Sequence, residues 1–499
     1  MTRQIAELRE RLAELDDLRL TAGLLNWDQQ TMMPTRGGPR RADTLATLER
    51  ISHARFVSAE TGRLLAAADA ELGGEDPDSD DVRLVALVQR RWDKARRVPT
   101  ELAAELAKAA SVGQEAWIAA RRDQDFDAFA PYLETNVELA RRYAECFEDF
   151  DCAYDALLDD YEPQMSSARV ARLFDELKRA LVPLIAQLAQ RDLDSSVLHG
   201  NFPVQTQRQL VSEVLKMMGF DAAAWRLDDA VHPFASSFGA TDVRITTRWD
   251  ESYLSVGLFG AMHECGHGLY EAGIPPALQR LPLGHGESLG MHESQSRLWE
   301  NMVGRGRSFS GVLAPRIAAL FDGALDADTL FRAVNRVSPS FIRVEADEAT
   351  YGLHIILRFE LEQELIAGTL AVRDVPEAWN SRVRDYLGLE VANPAAGALQ
   401  DVHWSAGLIG YFPTYALGNM IAGQLWQQVH LDLPDIEQQI AAGDLSGLRG
   451  WLLENVHRHG SKFRTDELLE RVIGGSIEVG PFVSYLQQKL SDVYGVALA

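Results

Sequence analysis

Apolar side chains recur at three- and four-residue spacing along most of the chain, with polar side chains between them. Positions i, i+3, i+4 and i+7 share one face of an α-helix, so this spacing predicts amphipathic helices. Ala, Leu, Glu and Arg, which favour helices, are frequent in these stretches. The predicted helices span residues 3–25, 82–98, 100–120, 126–160, 166–190, 205–218, 312–335, 341–368, 374–387 and 434–456. The sequence therefore predicts a mainly α fold, a large array of helices packed on one another.

Two segments interrupt the helical pattern. Residues 242–250 alternate apolar and polar side chains and are rich in β-branched residues, which predicts a β-strand. Residues 73–81 are acidic and rich in Gly, Pro and Ser. This composition predicts a surface loop between two helices rather than a domain boundary. We find no internal repeat at the period of a helical solenoid.

Composition and charge narrow the class of protein. The 499 residues carry a formal net charge of −24, with 46% hydrophobic and 24% charged residues, as in ordinary soluble proteins. Nucleic acid and anionic membranes are polyanions, so this charge argues against both as partners. No apolar run is long enough to predict a membrane span, and the charged N-terminal residues do not resemble a signal peptide. The three cysteines are too few for a disulfide framework, so we expect a cytoplasmic protein.

The most informative motif is His263-Glu264-Cys265-Gly266-His267, an H-E-x-x-H sequence. Residues four apart on a helix lie one turn above each other, so both imidazoles face the same way and can bind one divalent metal, most often zinc. Glu264 is placed to reach a water molecule at the metal rather than the metal itself, which suits a general base. Cys265 points in a different direction from both histidines, and we expect it to be a small packing residue.

A catalytic zinc site needs a third protein ligand. One known pattern has a His six residues after the second His, but position 273 is Gly. We therefore favour Glu293, which lies 293 − 267 = 26 residues after His267 in a segment that looks like a returning helix. His292 and Glu287 are the alternatives. His292 points about 100° away from Glu293 on a helix, so only one of the two can face the metal.

Several further motifs resemble those of the M32 metallocarboxypeptidases, the family of carboxypeptidase Taq. They occur in the family's order and cover most of the chain. They are H-P-F at His232–Phe234, D-x-R-x-T at Asp242–Thr246, H-E-S-Q at His292–Gln295, I-R-x-x-A-D at Ile342–Asp347 and G-x-x-Q-D-x-H-W at Gly397–Trp404, with Asn26–Asp28 and Gly410–Tyr415 also similar.

The resemblance implies a fold and a set of ligands. It implies a mainly α-helical homodimer with a deep substrate groove and a small β-sheet beside the H-E-x-x-H helix, a gluzincin-like build. We expect a single domain over residues 1–499, with an N-terminal helical part at about 1–200 and the metal site and groove at about 225–425. By resemblance the metal ligands are His263, His267 and Glu293, and the general base is Glu264. Zinc is the usual ion in the family, and cobalt supports activity in some members.

A carboxypeptidase also needs a fixed cation for the terminal carboxylate of its substrate, preferably an Arg that can make two parallel hydrogen bonds. Arg343 is the leading candidate, because it stands in the family's I-R-x-x-A-D motif. Arg244 is the second candidate. The structural alternative for Arg343 is a salt bridge to Asp347, four residues later on the same predicted helix.

Other polar residues are candidates for binding or orientation. His403, Tyr411 and Tyr415 are candidate donors to the oxyanion that forms during peptide hydrolysis, and the sequence does not rank them. His232 is expected to line the groove or to cap a turn. The remaining expectations are carboxylates that orient the zinc histidines, Asp401 and Asp347, and core aromatic residues, Trp27 and Trp404.

The sequence thus predicts a zinc carboxypeptidase of broad specificity that removes single C-terminal residues from peptides. A dipeptidyl carboxypeptidase or an oligoendopeptidase in a similar helical groove is the second hypothesis. A helical peptide-binding scaffold without catalysis is the third, and the intact H-E-x-x-H motif argues against it.

Overall fold

The protein is described here by a computed structural model that covers residues 3–286 and 288–498, and most of these residues are helical. The first nine helices come before the sheet. They are α1 (Arg3–Thr31), α2 (Gly38–Phe56), α3 (Ala59–Glu71), α4 (Asp80–Arg97), α5 (Thr100–Asp123), α6 (Phe126–Ala144), α7 (Ala153–Leu158), α8 (Ser167–Leu188) and α9 (Val204–Met218). The mainly α fold is confirmed.

Three short strands and the remaining helices follow. The strands are β1 (Trp225–Asp229), β2 (Ala235–Ser237) and β3 (Val243–Thr247). The helices are α10 (Ser255–Ala272), α11 (Leu289–Arg297), α12 (Arg307–Leu320), α13 (Ala327–Val334), α14 (Glu348–Ala367), α15 (Val375–Leu387), α16 (Pro413–Asp432), α17 (Ile436–Ala441), α18 (Ser446–Asn455), α19 (Thr465–Ile473) and α20 (Gly480–Tyr494). A π-helical turn, Leu298–Gly304, continues α11.

Three long predicted helices are each two helices in the structure. Residues 126–160 form α6 and α7, residues 312–335 form α12 and α13, and residues 434–456 form α17 and α18. The last two breaks fall at residues with positive φ, Asp322 at 50° and Gly443 at 77°, which an α-helix does not accommodate. Similarly, the helix predicted over 341–368 begins only at Glu348.

The sheet is small and lies against α10. Its strand order is β1-β3-β2, with β1 parallel and β2 antiparallel to β3. The predicted strand at 242–250 is confirmed as β3. The two flanking strands were missed because β1 contains no β-branched residue and β2 is only three residues long. β2 is an edge strand, so one side of its backbone is not paired within the sheet.

The buried apolar side chains form a main core, a separate N-terminal core and a small cluster of Ala144, Phe147 and Ala156. The main core extends from Ala120 to Leu490 and contains most of the helices. The N-terminal core joins one face each of α1, α3 and α4 to residues 274–283. The predicted loop at 73–81 connects α3 to α4. Its Asp78 forms salt bridges with Arg83 of α4 and Arg471 of α19. The organisation as a single domain stays a prediction.

Two further expectations concern burial. Trp27 and Trp404 are 5% and 4% exposed, so their prediction as core aromatic residues is confirmed. Across residues 3–286 and 288–498, no helix has both the length and the apolarity to cross a membrane.

Candidate metal centre and carboxylate site

α10 and α11 bring the candidate metal ligands together because glycines allow their backbones to approach closely. A Cβ on Gly266, inside the H-E-x-x-H motif, would lie 2.8 Å from the Gln295 carbonyl oxygen and the Ser296 Cα of α11. A Cβ on Gly418 of α16 would lie 2.7 Å from the Cβ of Glu293. The glycines therefore make room for Glu293 between α10 and α16.

The donor atoms of His263, His267 and Glu293 converge on one point. The three lie within 4.8 Å of one another, and among the residues that the structure describes they are the one group of three or more His, Cys, Asp or Glu side chains that could hold a metal ion. Glu293 Oε2 is 3.6 Å from His263 Nε2 and 3.4 Å from His267 Nε2. In a tetrahedral site with metal–ligand distances near 2.1 Å, ligand atoms are about 3.4 Å apart. The residues present therefore fit a tetrahedral divalent metal.

Hydrogen bonds at Nδ1 orient both histidines. His263 Nδ1 is 2.9 Å from Glu300 Oε2, and a carboxylate only accepts, so His263 Nδ1 carries the proton. His267 Nδ1 is 2.6 Å from His292 Nδ1, and His292 Nε2 is 3.0 Å from Glu271 Oε1. A neutral His292 that donates to Glu271 accepts from His267, which places the His267 proton on Nδ1. In both histidines the Nε2 lone pair is left for the metal.

These contacts correct two sequence expectations. Asp401 and Asp347 do not orient the histidines, because Glu300 and His292 occupy that place. His292 is not a rival ligand in this geometry, since its Nδ1 faces His267. The other rival, Glu287, lies outside the described residues. Spacing does not single out Glu300, because the π-helical turn that begins at Leu298 sets the direction of its side chain.

Glu264 lies beside this centre and is 6% exposed. Burial raises the pKa of its carboxyl to about 7, although the nearby His263 acts in the opposite direction. Burial lowers the pKa of His267 to about 4, so this imidazole is neutral at pH 7, as a metal ligand must be. Cys265 is fully buried in the main core, which confirms its prediction as a packing residue.

Arg297 holds the oxygen of Glu293 that does not face the histidines. Its Nε donates to Glu293 Oε1 at 2.6 Å, and its guanidinium carbon lies 4.1 Å from the centre of the Tyr351 ring. Tyr351 Oη in turn accepts a hydrogen bond from Arg343 at 2.9 Å. The metal centre is therefore linked to Arg343 through one arginine and one tyrosine.

Arg343 is buried in a cluster of two arginines and one aspartate. Its Nε and one terminal nitrogen donate to Asp401 Oδ1 at 3.0 and 2.9 Å. Arg358, fully buried on α14, donates to Asp401 Oδ2 at 2.7 Å. Burial and the neighbouring Arg343 lower the pKa of Arg358 to about 10, against the effect of Asp401, so it remains charged at neutral pH. The cluster has one more positive than negative charge.

The structural alternative for Arg343, a salt bridge to Asp347, is not what the structure shows. Arg343 lies in a short 3-10 turn before α14, and Asp347 is the N-cap of that helix. The Asp347 carboxylate accepts hydrogen bonds from the backbone N–H groups of Ala349 and Thr350 at 3.0 and 3.1 Å. The two side chains therefore have different partners.

His403, Tyr411 and Tyr415 lie together beside Arg343. His403 Nε2 is 3.2 Å from Tyr415 Oη, the two tyrosine rings are 5.4 Å apart, and Arg343 lies 4.8 Å from the Tyr415 ring centre. Burial lowers the pKa of His403 to about 3, despite the opposing charge of Asp401. His403 is therefore a neutral imidazole, which excludes it as an imidazolium donor near pH 7.

The other two predicted binding residues are placed differently. Arg244, on β3, forms two parallel hydrogen bonds to Asp242 at 2.8 and 2.9 Å and lies 4.4 Å from the Trp27 ring centre. Arg244 and Asp242 form a one-to-one pair, whereas Arg343 shares Asp401 with Arg358, which makes Arg244 the weaker candidate. His232 is exposed in the loop before β2.

A cavity of about 290 Å³ adjoins His267 on the side of the edge strand. It lies between α1, β2, α10 and α11 and has room for a substrate side chain. Its lining residues are Arg19, Leu20, Gly23, Ala235, Ser236, Ser237, Phe238, His267, Gly268, Glu271, His285 and His292.

Comparison with known proteins assigns the family. Residues 7–490 match the M32 metallopeptidases, described as carboxypeptidase Taq. The chain is 41% identical to thermostable carboxypeptidase 1 of Thermus thermophilus and 36% identical to carboxypeptidase 1 of Bacillus subtilis, covering 95% of each relative and 95% and 94% of this chain. The crystal structure of the M32 carboxypeptidase from Deinococcus radiodurans superposes with a TM-score of 0.95 at 38% identity, covering 99% of this chain and 100% of that one. The chain belongs to the M32 family of metal-dependent carboxypeptidases.

Proposed function

We propose that the protein uses zinc, held by His263, His267 and Glu293, to hydrolyse single residues from the C-termini of peptides with broad specificity. Cobalt is the alternative ion. The observation that carries the proposal is the buried excess of positive charge at Arg343, Arg358 and Asp401, linked to the metal centre through Tyr351 and Arg297. A buried, unbalanced cation beside a hydrolytic centre suits a substrate with a free terminal carboxylate. An endopeptidase has no need of it.

The bound metal supplies a Lewis acid that polarises the scissile carbonyl and acidifies a water molecule. Glu264 takes a proton from the attacking water and delivers it to the leaving amine, and its raised pKa of about 7 suits both steps. Arg343 binds the terminal carboxylate and so fixes which peptide bond lies at Glu264.

A chain of hydroxyl groups supports Tyr411 as the donor to the developing oxyanion. His403 Nδ1 has no hydrogen-bond partner among the described residues, which favours the proton on Nε2, facing Tyr415. Tyr415 then accepts from His403 and donates to Tyr411, a hydrogen bond that acts to lower the pKa of Tyr411 against the larger effect of burial. The Tyr411 proton is left free to point at the substrate.

The assembly and location are also proposals. We infer a homodimer from membership of the family, which light scattering of the purified protein tests directly.

The three cysteines are unpaired, which supports a reducing cytoplasm as the location. The charge of −24 supports peptides rather than nucleic acid as partners. His232 is proposed to line the groove entrance.

Mass spectrometry of a peptide panel tests the function. Each peptide is prepared with a free carboxylate and with a C-terminal amide, and both are digested by the zinc- and the cobalt-loaded enzyme. We expect ladders that shorten by one residue from free-acid peptides and little cleavage of the amides. Release of residue pairs would indicate a dipeptidyl carboxypeptidase, and internal fragments from both forms would indicate an oligoendopeptidase. Metal-loaded protein that binds peptides without cleaving them would indicate the scaffold.

A further inference from the structure

A continuous series of polar contacts leads from the metal ligand His267 to the N-terminal helix α1. His267 contacts His292, and His292 Nε2 lies 3.0 Å from Glu271 Oε1. Glu271 Oε2 is 3.5 Å from His285 Nδ1. His285 Nε2 is 2.9 Å from Asp16 Oδ1 on α1. The series therefore joins residues that are more than 250 positions apart in the sequence.

Within this series, Glu271 fixes the proton of His292 on Nε2, the nitrogen that faces it. Its Oε1 accepts hydrogen bonds from both His292 and the backbone N–H of Gly286, the latter at 2.8 Å. Burial acts to raise the pKa of Glu271, but the hydrogen bonds from His285 and His292 outweigh it and hold the pKa below its ordinary value. Glu271 is therefore an ionised acceptor, which His292 Nε2–H requires.

Asp16 and His285 lie on the side of Glu271 that faces away from His292. Asp16 is 6% exposed, and its Oδ1 also contacts Arg19 at 3.0 Å. His285 lies between the two carboxylates of Asp16 and Glu271, and its side chain is 25% exposed. If His285 turns away, Glu271 loses its donor at Oε2, and the carboxylate is then held through Oε1 alone.

We propose that Asp16 and His285 are positioning residues of the metal centre. Through Glu271 and His292 they keep Nε2 of His267 directed at the metal, so the docking of α1 contributes to metal affinity. The proposal rests on the metal site described under the proposed function. Asp16 and His285 reach His267 only through Glu271 and His292. We therefore expect them to affect metal affinity less than a residue in direct contact with the ligand does.

The chain offers a matched control for Asp16. The adjacent Asp17 forms a salt bridge to Arg280 at 2.6 Å, in the same segment that contains His285. Both aspartates therefore tie α1 to this segment, but only Asp16 continues toward His267. Any general effect of loosening α1 should appear in Asp17→Asn as well as in Asp16→Asn.

The test is Co²⁺ binding by the full-length protein, measured by competition with a chromogenic chelator and by the visible absorption of bound Co²⁺. We expect affinity to fall about tenfold in Glu271→Gln and about threefold in Asp16→Asn and His285→Gln, with a changed absorption spectrum in each. Asp17→Asn should bind as the wild type does. Thermal unfolding of the metal-free variants measures how much stability each substitution removes.

Two outcomes separate this inference from the proposed function. Equal Co²⁺ affinity and identical spectra in Asp16→Asn, His285→Gln and the wild type would overturn the role of the outer residues and leave the metal site intact. Unchanged Co²⁺ binding in His267→Ala would instead show that the metal site itself is misassigned.

Discussion

The metal centre and the arginine cluster are both buried, but the groups that they bring together are of opposite kinds. At the metal centre, two imidazole lone pairs and one carboxylate oxygen face each other within 4.8 Å. At the arginine cluster, Arg343 and Arg358 share the single carboxylate of Asp401. Acceptors converge at the first site and positive charge accumulates at the second.

The difference indicates which kind of ligand each site would stabilise. Convergent acceptors without a donor repel one another, so they are stabilised by a cation. Two guanidiniums on one carboxylate leave a buried positive charge, which is costly until an anion neutralises it. In the proposed function, one site therefore selects a metal ion and the other a carboxylate, with the peptide bond to be cut between them.

Removing the metal should have the largest effect. Chelation at neutral pH is expected to abolish hydrolysis of free-acid peptides, because no other group at the site replaces the Lewis acid. Addition of Zn²⁺ or Co²⁺ to the dialysed protein should restore the activity. The same treatment of His263→Ala should restore nothing, and recovery there would contradict the assignment of this ligand.

Glu264→Gln should lower kcat by about 10³-fold without loss of metal, because the amide cannot accept the water proton. Turnover is measured with a free-acid dipeptide substrate, and metal content by elemental analysis. Cys265→Ala, a change in the next residue on the core-facing side of α10, is the control and should retain most of the activity. A Glu264→Gln enzyme with normal kcat would remove Glu264 from the mechanism.

Arg343→Lys should reduce kcat/KM for free-acid peptides by about 100-fold, because the loss of a buried, hydrogen-bonded guanidinium–carboxylate contact costs about 3 kcal/mol. Residual cleavage of the matched amides should not fall. Arg244→Lys is the control, since Arg244 is paired with Asp242. Equal losses on free acids and amides would refute the recognition of the terminal carboxylate.

Arg358→Met should raise KM for free-acid peptides by about tenfold, since Arg343 and Asp401 are left as a balanced pair. Met has a similar length and preserves packing against Trp379, whose ring centre lies 4.5 Å from the guanidinium. Thermal unfolding checks that the fold persists. A KM that does not change would show that the excess charge does not contribute to binding.

The smallest predicted effect is a dependence on pH. Burial raises the pKa of Glu362 to about 7, although hydrogen bonds from Tyr154 and Trp404 oppose it. Below pH 7 this carboxyl is protonated and neutral, and above pH 7 it is negative and offsets the nearby charge of Arg358. The ratio of KM for free acids to KM for amides should rise about threefold from pH 6 to pH 8. Glu362→Gln should flatten this rise.

The sequence predicted those parts of the site that depend on local spacing. The four-residue interval in H-E-x-x-H places two imidazoles on one helix face, and a carboxylate on a returning helix follows from the need for a third ligand. The orienting partners were missed because they depend on how α11 continues. The π-helical turn Leu298–Gly304 carries Glu300 to His263, and no periodic pattern in the sequence indicates such a turn.

The errors at Arg343 and in the sheet have different causes. Apolar periodicity extended the predicted helix back to residue 341, although Asp347 followed by Thr350 is a recognisable helix start. The charge cluster with Asp401 and Arg358 joins segments far apart in sequence, so it could not be read from spacing. β1 and β2 owe their pairing to β3 and α10 rather than to their own residues.

The contact between Asp16 and His285 can form only late in the synthesis of the chain. The two residues are 269 positions apart, and a ribosome adding about 5–20 residues per second takes about 13–54 seconds to cover that interval. Until then α1 cannot pack against residues 274–283 of the N-terminal core, because they do not yet exist. Metal that arrives earlier finds no complete set of ligands. The first helix to be synthesised is thus among the last to reach its final surroundings.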